Sequence, residues 1–576
     1  MESIEQHLPN KPDSPDAETA DTRRDWTPYI VIGIAFFVFI VLLAYPMITV
    51  VLTSFIRQGA PVSFSNLTLQ NFARFFRPGL FQLATRNTII VTVGTVIGAV
   101  TIGVPMAYVV ARVAIPYKTV FITLGTLPIT MPPFIGAYAW IILLGRRGII
   151  TRVLLQFFGL TIPSIYGPHG IILAQTLILY PFVFLLTYGA LSSTDPYIEE
   201  AAEVCGGSKL RRIRTVTLPL VLPSIGAGAM IAFMRAIASF GVPAVLGGDF
   251  YVLPTLMYFQ ITGYFNLHAA NAIAMVLMLF SLLALALMRY ISSRGSYVTV
   301  TSATQRAKQV TSRPARIFGT AFVVLVVVVS LLPHLTIVLN SFSQRWIGTI
   351  FPSEWTFNNY LTVIRRAQIP IRNSVMMAGV ATIVAVILGA LLAYSSVRHK
   401  TRASWVVDAT IMLPFVIPGV VIGVTMLTTF GRPPIILSGT FLILIMAYVV
   451  RRLPFSFRST YASLSQLDPA IEEGSYVTGG SWWYTLRRIT LPLIAPGVLA
   501  GGIVVFVTLV GELNATIILY SNRSRTISTT IFNYLLADML GPASALGTIL
   551  ILLIFTVVFL ANRVFGKSVA EMFGMK

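Results

Sequence analysis

Long stretches without Asp, Glu, Lys or Arg alternate with short charged segments along the whole chain. Most of these stretches have 18 or more residues, and an α-helix of about 20 residues spans a bilayer core of roughly 30 Å. They lack the polar and apolar alternation of a membrane β-strand. Charged residues make up 11% of the 576 residues, against about 25% in soluble domains. The sequence therefore predicts an all-α polytopic membrane protein and excludes an ordinary soluble one.

Twelve stretches are predicted to be transmembrane spans, six in each half of the chain. The first six are 28–54, 87–111, 119–145, 170–194, 215–248 and 269–288. The second six are 317–344, 373–397, 409–431, 433–450, 489–522 and 542–562. An even number places both termini on one side. With the N-terminus inside, 26 Lys and Arg lie in inner segments and 14 in outer loops, which predicts cytoplasmic termini.

The second half of the chain repeats the first. Residues 45–55 (YPMITVVLTSF) match 332–342 (LPHLTIVLNSF) at an offset of 287, and 195–200 (DPYIEE) match 468–473 (DPAIEE) at an offset of 273. The smaller offset predicts that the first half has a loop about 13 residues longer, around 145–170. Six spans per half give two parallel six-helix repeats, and their interface is the expected pathway.

The repeats define the expected domains. These are a disordered cytoplasmic tail at 1–26, a first six-span domain at 27–294, a cytoplasmic linker at 295–316 and a second six-span domain at 317–576.

Two inner loops carry one motif in the same register. The first, 200–219, reads EAAEVCGGSKLRRIRTVTLP, and the second, 473–492, reads EGSYVTGGSWWYTLRRITLP. In both, a Gly follows the first Glu at position +6 and a Pro follows it at +19, as Pro219 and Pro492. Two copies in register indicate a functional element rather than two chance amphipathic loops.

The motif predicts a short surface helix in each half. Asp195 and Asp468 are expected to cap it, with a proline in the favoured next position. Gly206 and Gly479 are expected to end it in a turn with positive φ. The two prolines at +19 are then expected in the first turn of the next span, where proline is tolerated.

This pattern resembles the EAA loop of binding-protein-dependent ABC importer permeases, whose loop forms a coupling helix in a cleft of a cytoplasmic ATPase. The resemblance implies an ABC ATPase dimer as partner, a periplasmic solute-binding protein and a bacterial inner-membrane location. It assigns ATPase coupling to Glu200, Ala201, Ala202, Gly206, Leu218 and Pro219, and to Glu473, Gly474, Gly479, Leu491 and Pro492. The second copy departs from the pattern at Gly474, which predicts a local helix weaker by about 1 kcal/mol.

Within that family, the fused architecture resembles ferric-iron-type permeases. Residues 511–519 (GELNATIIL) resemble their Glu-Leu-Pro-Ala-Thr-Leu-Leu-Leu segment, with Asn514 where Pro is usual, and 239–247 (SFGVPAVLG) resemble the corresponding segment. The resemblance implies ferric iron as the solute. Permeases for phosphonate, polyamine, sulfate and sugar phosphate share much of this pattern and are alternatives. A twelve-span secondary transporter is an alternative of another class, which needs neither paired coupling loops nor an ATPase.

Two charges lie inside predicted spans, Arg235 and Glu512. Intramembrane charges are costly and normally face a pathway or a partner. These residues, with Ser239 and Asn514, are the candidate pathway residues, and Arg235 favours an anionic or chelated substrate. A structural ion pair, or a side chain reaching the interface, is the alternative explanation.

The proline-rich runs 127–133 and 413–418 predict either broken helices near the site or plain kinks.

The remaining motifs exclude other functions. A phosphate loop is missing, so ATP is expected to be hydrolysed by a partner subunit, with no cofactor bound by this chain and no enzyme activity. One Cys and five scattered His argue against a metal site. The net charge of +21 lies in short loops, which fits contact with anionic lipid and no nucleic acid.

Overall fold

The computed structural model describes residues 27–194, 196–294, 310–344, 346, 349, 351–398 and 404–565. In these ranges the regular elements are helices, with three isolated β-bridges beside them. Helices are the natural solution in lipid because they satisfy their own backbone hydrogen bonds. The all-α prediction is confirmed. The predicted tail at 1–26, most of the predicted linker at 295–309 and the predicted cap Asp195 lie outside the described residues.

Fourteen α-helices form the first half. They are α1 (Thr27–Phe39), α2 (Tyr45–Ser54), α3 (Gln70–Ala73), α4 (Leu80–Arg112), α5 (Lys118–Thr126), α6 (Pro133–Leu144), α7 (Ile149–Phe158), α8 (Pro168–Ser193), α9 (Pro196–Val204), α10 (Lys209–Arg212), α11 (Leu218–Ile237), α12 (Gly241–Leu246), α13 (Leu253–Thr262) and α14 (Leu267–Arg294). A π turn at Ile40–Ala44 joins α1 to α2, and a 3-10 turn at Leu127–Thr130 follows α5.

Twelve α-helices form the second half. They are α15 (Arg313–Ser341), α16 (Asn358–Arg366), α17 (Gln368–Arg398), α18 (Ser404–Val416), α19 (Gly419–Phe430), α20 (Phe441–Leu464), α21 (Pro469–Val477), α22 (Trp482–Thr485), α23 (Leu491–Val510), α24 (Thr516–Leu519), α25 (Ile527–Leu536) and α26 (Leu540–Phe565). The bounds of α9 and α21 differ by 273 residues, as do those of α11 and α23. Helix α7 has no counterpart among the described residues of the second half, which confirms the predicted longer loop.

Nine described helices are long and apolar enough to cross a membrane, and two bent helix pairs raise the number to 11. Helix α20 has 24 residues but contains Arg451, Arg452 and Arg458. With α20 included, these units match the twelve predicted spans in order. The chain is a multi-pass membrane protein.

The predicted tenth span, 433–450, is wrong in its bounds. Helix α20 runs from Phe441 to Leu464 and includes three arginines that the prediction assigned to an inner loop. Arg451 and Arg452 are accommodated because both bind the carboxylate of Glu512 on the segment after α23. Without these three arginines, the inner segments contain 23 Lys and Arg and the outer loops contain 14. The predicted excess of positive charge on the inner side therefore persists.

The predicted fifth and eleventh spans, 215–248 and 489–522, end too late. Helix α11 ends at Ile237 and α23 ends at Val510, and each is followed by a short, buried helix, α12 or α24. These short helices are apolar because they lie in the protein core. A run of apolar residues alone therefore did not reveal where the long helix ends and the short helix begins.

The prolines at the end of the motif lie in the first turn of α11 and α23, as predicted, but these helices do not start separate segments. Pro219 and Pro492 lie inside continuous helical segments, Lys209–Ile237 and Trp482–Val510. Proline lacks an N–H, and its ring clashes with the carbonyl four residues earlier. Each segment widens into a π turn directly before the proline, at 213–217 and 486–490. This turn lets the helix continue through the proline.

The first helix of each half packs against the other half as well as against its own. Helix α2 packs against α19 of the second half, and α15 packs against α6 of the first half. The Asn271 amide donates to Thr53 at 2.8 Å and accepts from Thr428 at 2.9 Å, which links α2, α14 and α19. On the other side, Asn340 of α15 donates to the Tyr138 hydroxyl of α6 at 3.4 Å. The halves therefore form one interlocked bundle.

Candidate functional site

Helices α9 and α21 are two nine-residue elements between spans, and we refer to them as the loop helices. Asp468 caps α21 as predicted, because its carboxylate accepts the Ala470 N–H at 3.0 Å. Gly206 and Gly479 adopt φ of +81° and +86° after the helices, which confirms the predicted turns. A side chain at either glycine would be strained in this conformation.

The loop helices expose apolar residues at equivalent positions. Ile198 and Ile471 are both exposed, and Val204 and Val477 are each 88% exposed. Exposed apolar side chains on a protruding helix are typical of a protein contact surface. Both halves therefore present the same kind of contact surface.

A salt bridge fastens the first loop helix to the bundle. Arg112, the last residue of α4, donates from Nε and Nη2 to Glu199 Oε1 at 3.2 and 2.9 Å. Thr217, the last residue of the π turn, donates to the same oxygen at 3.2 Å. The first loop helix is thus tied both to α4 and to the base of α11.

The second loop helix has the equivalent arrangement. Arg398, the last residue of α17, donates from Nε to Glu472 Oε2 at 2.8 Å. Thr490, again the last residue of a π turn, donates to Glu472 Oε1 at 2.7 Å. Arginine, glutamate and threonine recur at the offsets that relate the two halves. The salt bridge and the threonine hydrogen bond are therefore present in both halves.

Sequence reasoning missed Glu199 and Glu472, which directly precede the predicted Glu200 and Glu473. Successive helix residues point about 100° apart, so one acid faces the bundle while its neighbour faces outwards. Glu473 is exposed and Glu200 is half-buried. The signal in the sequence was the pair of adjacent acids in both motifs, together with an arginine directly after the predicted second and eighth spans.

The other predicted coupling residues fall into two groups. Ala201 and Gly474 are exposed and Ala202 is half-buried on the loop helices. Leu218, Pro219, Leu491 and Pro492 instead lie beyond the π turns, at the start of α11 and α23. The structure therefore separates an outer contact surface from residues at the base of the spans.

A cavity of about 220 Å³ lies between the two halves, and we refer to it as the central cavity. Its walls include residues 131–133 at the break before and at the start of α6, and residues 416, 417 and 419 at the break between α18 and α19. The helical segments on either side of these breaks bend by 101° and 114°. The proline-rich runs are therefore broken helices beside the cavity, and not plain kinks.

The four predicted pathway residues, Arg235, Ser239, Glu512 and Asn514, all line the central cavity. Arg235 does not pair with Glu512. Its guanidinium carbon lies 4.5 Å from the centre of the Phe182 ring, and its side chain is exposed. In the described part of the chain Arg235 has no carboxylate within ion-pairing distance.

Glu512 is buried and binds two arginines that sequence reasoning did not assign to the site. Arg451 donates to Glu512 Oε1, and Arg452 Nη2 donates to Oε2 at 3.2 Å. Gly419 makes room for the Arg451 guanidinium, which a Cβ atom at that position would strike. The two arginines directly follow an uncharged run, so they were assigned to the inner loop after the predicted tenth span.

A family model described as "Binding-protein-dependent transport system inner membrane component" matches residues 99–297 and 385–571. The two matched regions fall one in each half, and each contains a loop helix. The chain belongs to this permease family. The protein is therefore the membrane subunit of an ABC importer and not an enzyme, and the family description corrects the alternative of a secondary transporter.

The permease is similar to curated relatives along both halves. It is 30% identical over 483 residues to the ferric transport system permease protein FbpB of Actinobacillus pleuropneumoniae, covering 82% of this chain and 70% of that protein. It is 26% identical over 503 residues to the Fe(3+)-transport system permease protein FbpB 2 of Haemophilus influenzae, covering 85% and 91%. A Salmonella typhi protein named for 2-aminoethylphosphonate transport is 28% identical over 234 residues, covering 40% and 89%. The permease is thus of the fused, ferric type.

Membership of this family implies partner subunits, namely a periplasmic binding protein and an ATPase. The permease offers two equivalent protruding helices and one cavity between its halves. These are the features by which a membrane subunit can contact other subunits and hold a solute.

Proposed function

We propose that this permease imports ferric iron delivered by a periplasmic binding protein. Two relatives named for ferric transport match 82% and 85% of the chain, whereas the relative named for phosphonate transport matches 40%. The similarity through both halves is the observation that carries the proposal. An ABC permease for phosphonate is the second candidate, and the arginines of the central cavity favour it.

Two copies of a cytoplasmic ATPase bind the loop helices in this proposal, one on α9 and one on α21. Glu200 and Glu473 contribute to these contacts, and ATP is bound and hydrolysed by the partner. Both termini of the permease are cytoplasmic. Closure of the ATPases moves the salt-bridged loop helices with the bundle, so that the central cavity opens alternately to each side.

Reconstitution tests the proposed substrate. The permease is placed in proteoliposomes with its ATPase, the binding protein is added outside, and uptake of radiolabelled ferric iron is measured. Uptake is expected only when ATP and all three components are present. Iron uptake no greater than without ATP would contradict the proposal. The permease alone is the control for ATP hydrolysis and is expected to show none.

Thiol labelling tests the proposed orientation. In a Cys205→Ser background, cysteines replace the exposed residues Ser208 and Ser481 beside the loop helices, or the exposed residues Ser65 and Ser353 at the opposite ends of the spans. In intact spheroplasts an impermeant reagent is expected to label only the second pair. The reverse pattern would contradict both the orientation and the ATPase contact.

A further inference from the structure

The charged residues of the central cavity do not balance. Its lining contains three arginines, Arg235, Arg451 and Arg452, and one acid, Glu512. Because all three arginines line the same cavity, their like charges repel one another. Two positive charges remain in excess, so an anion between them would relieve the repulsion.

The central cavity also has hydrogen-bond donors that lack acceptors. Arg452 Nε and Gln175 Nε2 are buried without a hydrogen-bond partner. Both carboxylate oxygens of Glu512 are occupied, because Oε1 also accepts the Ala515 N–H at 3.0 Å. Buried donors without a partner are costly. A ligand that accepts several hydrogen bonds would satisfy them.

The same cavity suits a bare metal cation poorly. Hard cations take oxygen ligands and favour carboxylates, and the carboxylate of Glu512 is held by two arginines. The described residues contain no group of three or more His, Cys, Asp or Glu that could hold a metal ion. A ferric ion stripped of other ligands would therefore meet net positive charge.

These charges are not part of the architecture that the two halves share. At an offset of 273, Arg451 and Arg452 correspond to Ile178 and Leu179, and Glu512 corresponds to Ser239. The salt bridges of the loop helices, by contrast, recur in both halves. A feature confined to one copy is unnecessary for the common fold, which points to a role in binding the solute.

We propose that the central cavity binds an oxyanion, such as a phosphate, phosphonate or carboxylate group. The solute then crosses either as a free oxyanion or as a ferric ion still coordinated by oxyanion ligands. Arg235, exposed and without an acidic partner, is the primary contact, and Arg452 and Gln175 supply further donors. The inference rests on the proposed function only in placing the central cavity on the transport path.

Phosphate binding to the full permease in lipid nanodiscs tests the inference directly. Inorganic phosphate replaces chloride at constant ionic strength, because screening by salt would otherwise change the result. Phosphate is expected to bind and to raise the unfolding temperature. Arg235→Gln is expected to weaken binding at least tenfold, which is about 1.4 kcal/mol, and Arg235→Lys is expected to keep part of the affinity.

Arg458→Gln is the matched control, because Arg458 lies exposed on α20 outside the central cavity. It is expected to bind phosphate as the wild type does. No phosphate binding by the wild type, or equal binding by Arg235→Gln and Arg458→Gln, would overturn the inference.

Uptake by the reconstituted importer separates this inference from the proposed substrate. Iron uptake that requires phosphate or citrate and is lost in Arg235→Gln supports both. Import of 2-aminoethylphosphonate that depends on Arg235, without iron uptake, supports the oxyanion site and contradicts iron. Iron uptake that is unaffected by Arg235→Gln and needs no oxyanion contradicts the oxyanion site and leaves iron as the solute.

Discussion

The two loop helices have the same backbone but are held in place differently. Both have nine residues, both end in a glycine with positive φ, and both are joined to the bundle by arginine, glutamate and threonine. The side chains around this shared frame differ. In the first loop they are ionic and exposed, whereas in the second they are hydroxylic or aromatic and buried.

Ion pairs that are partly exposed to water hold the first loop in place. Glu199 retains 21% side-chain exposure in its salt bridge with Arg112. A second ion pair joins Arg212 Nη1 to Glu203 at 2.6 Å across the turn, and Glu203 is largely exposed. Exposed ion pairs contribute little to stability because water and salt screen them.

Buried contacts hold the second loop in place. Glu472 has only 5% side-chain exposure. At the positions of Glu203 and Arg212 stand Tyr476 and Thr485, and Thr485 instead shares a 2.8 Å hydrogen bond with buried Ser475. The buried Trp482 donates to the Tyr394 hydroxyl at 3.2 Å. The substitution of Gly474-Ser475 for Ala-Ala is thus accompanied by new buried contacts.

This comparison shows what the fold requires of these loops. The bounds of the helix, the glycine turn and the salt bridge recur in both copies, so they define its position. The surrounding contacts differ between the copies, so either ion pairs or buried hydroxyl and aromatic contacts can stabilise the loop helix in this position. We expect the second loop helix to open less often than the first.

The largest expected effect is that of Arg398→Gln. It leaves the buried Glu472 without its cationic partner, and breaking a buried ion pair costs about 3–5 kcal/mol. Arg112→Gln leaves Glu199 with access to water, so a smaller loss is expected. Native-state hydrogen exchange of the loop-helix amides measures both opening free energies. Equal losses would show that the difference in burial has no energetic consequence.

Gly206→Ala and Gly479→Ala are expected to have equal, intermediate effects. Neither Cβ meets another atom within 4 Å, so the cost is that of holding an L-residue at positive φ, about 1–2 kcal/mol. ATPase pull-down and hydrogen exchange provide the measurement. Unequal losses would contradict the equivalence of the two backbones.

Gly474→Ala is expected to stabilise the second loop helix by about 1 kcal/mol, the difference in helix propensity. A Cβ atom at Gly474 meets nothing within 4 Å. Ala201→Gly is the matched reverse change, because Ala201 is exposed at the equivalent position, and it is expected to destabilise α9 by the same amount. Hydrogen exchange gives both values, and a loss of stability in Gly474→Ala would be the contrary result.

The smallest expected effect is that of Arg212→Gln, below about 1 kcal/mol, because its partner Glu203 is largely exposed. The difference from wild type is expected to disappear at high salt. The opening of α9 is measured at low and high ionic strength. A loss that persists at high salt would show that the pair stabilises the first loop in another way.

Repetition made much of the fold predictable. The drop in offset from 287 to 273 anticipated the longer loop that contains α7, and the motif anticipated both loop helices. Arg235 and Glu512 were recognisable because they interrupt uncharged runs. Each of these signals is local in the sequence or recurs at a fixed period.

Features that depend on tertiary contacts were not predictable. Arg451 and Arg452 lie inside a helix because Glu512 approaches from elsewhere, and no local rule reveals that. The choice between Glu199 and Glu200 depends on which face of the helix meets Arg112. The packing of each first helix against the other half left no trace in the sequence either, because helices in lipid are apolar on every side.

Because helices of the two halves pack against each other, some of their contacts can form only late in synthesis. Helix α2 enters the membrane long before α19, since 365 residues separate Ser54 from Gly419. At roughly 5–20 residues per second, the wait is roughly 20–70 seconds. Lipid covers the waiting face of α2 during that time. The first half therefore reaches its native packing only after the ribosome has passed α19 in the second half.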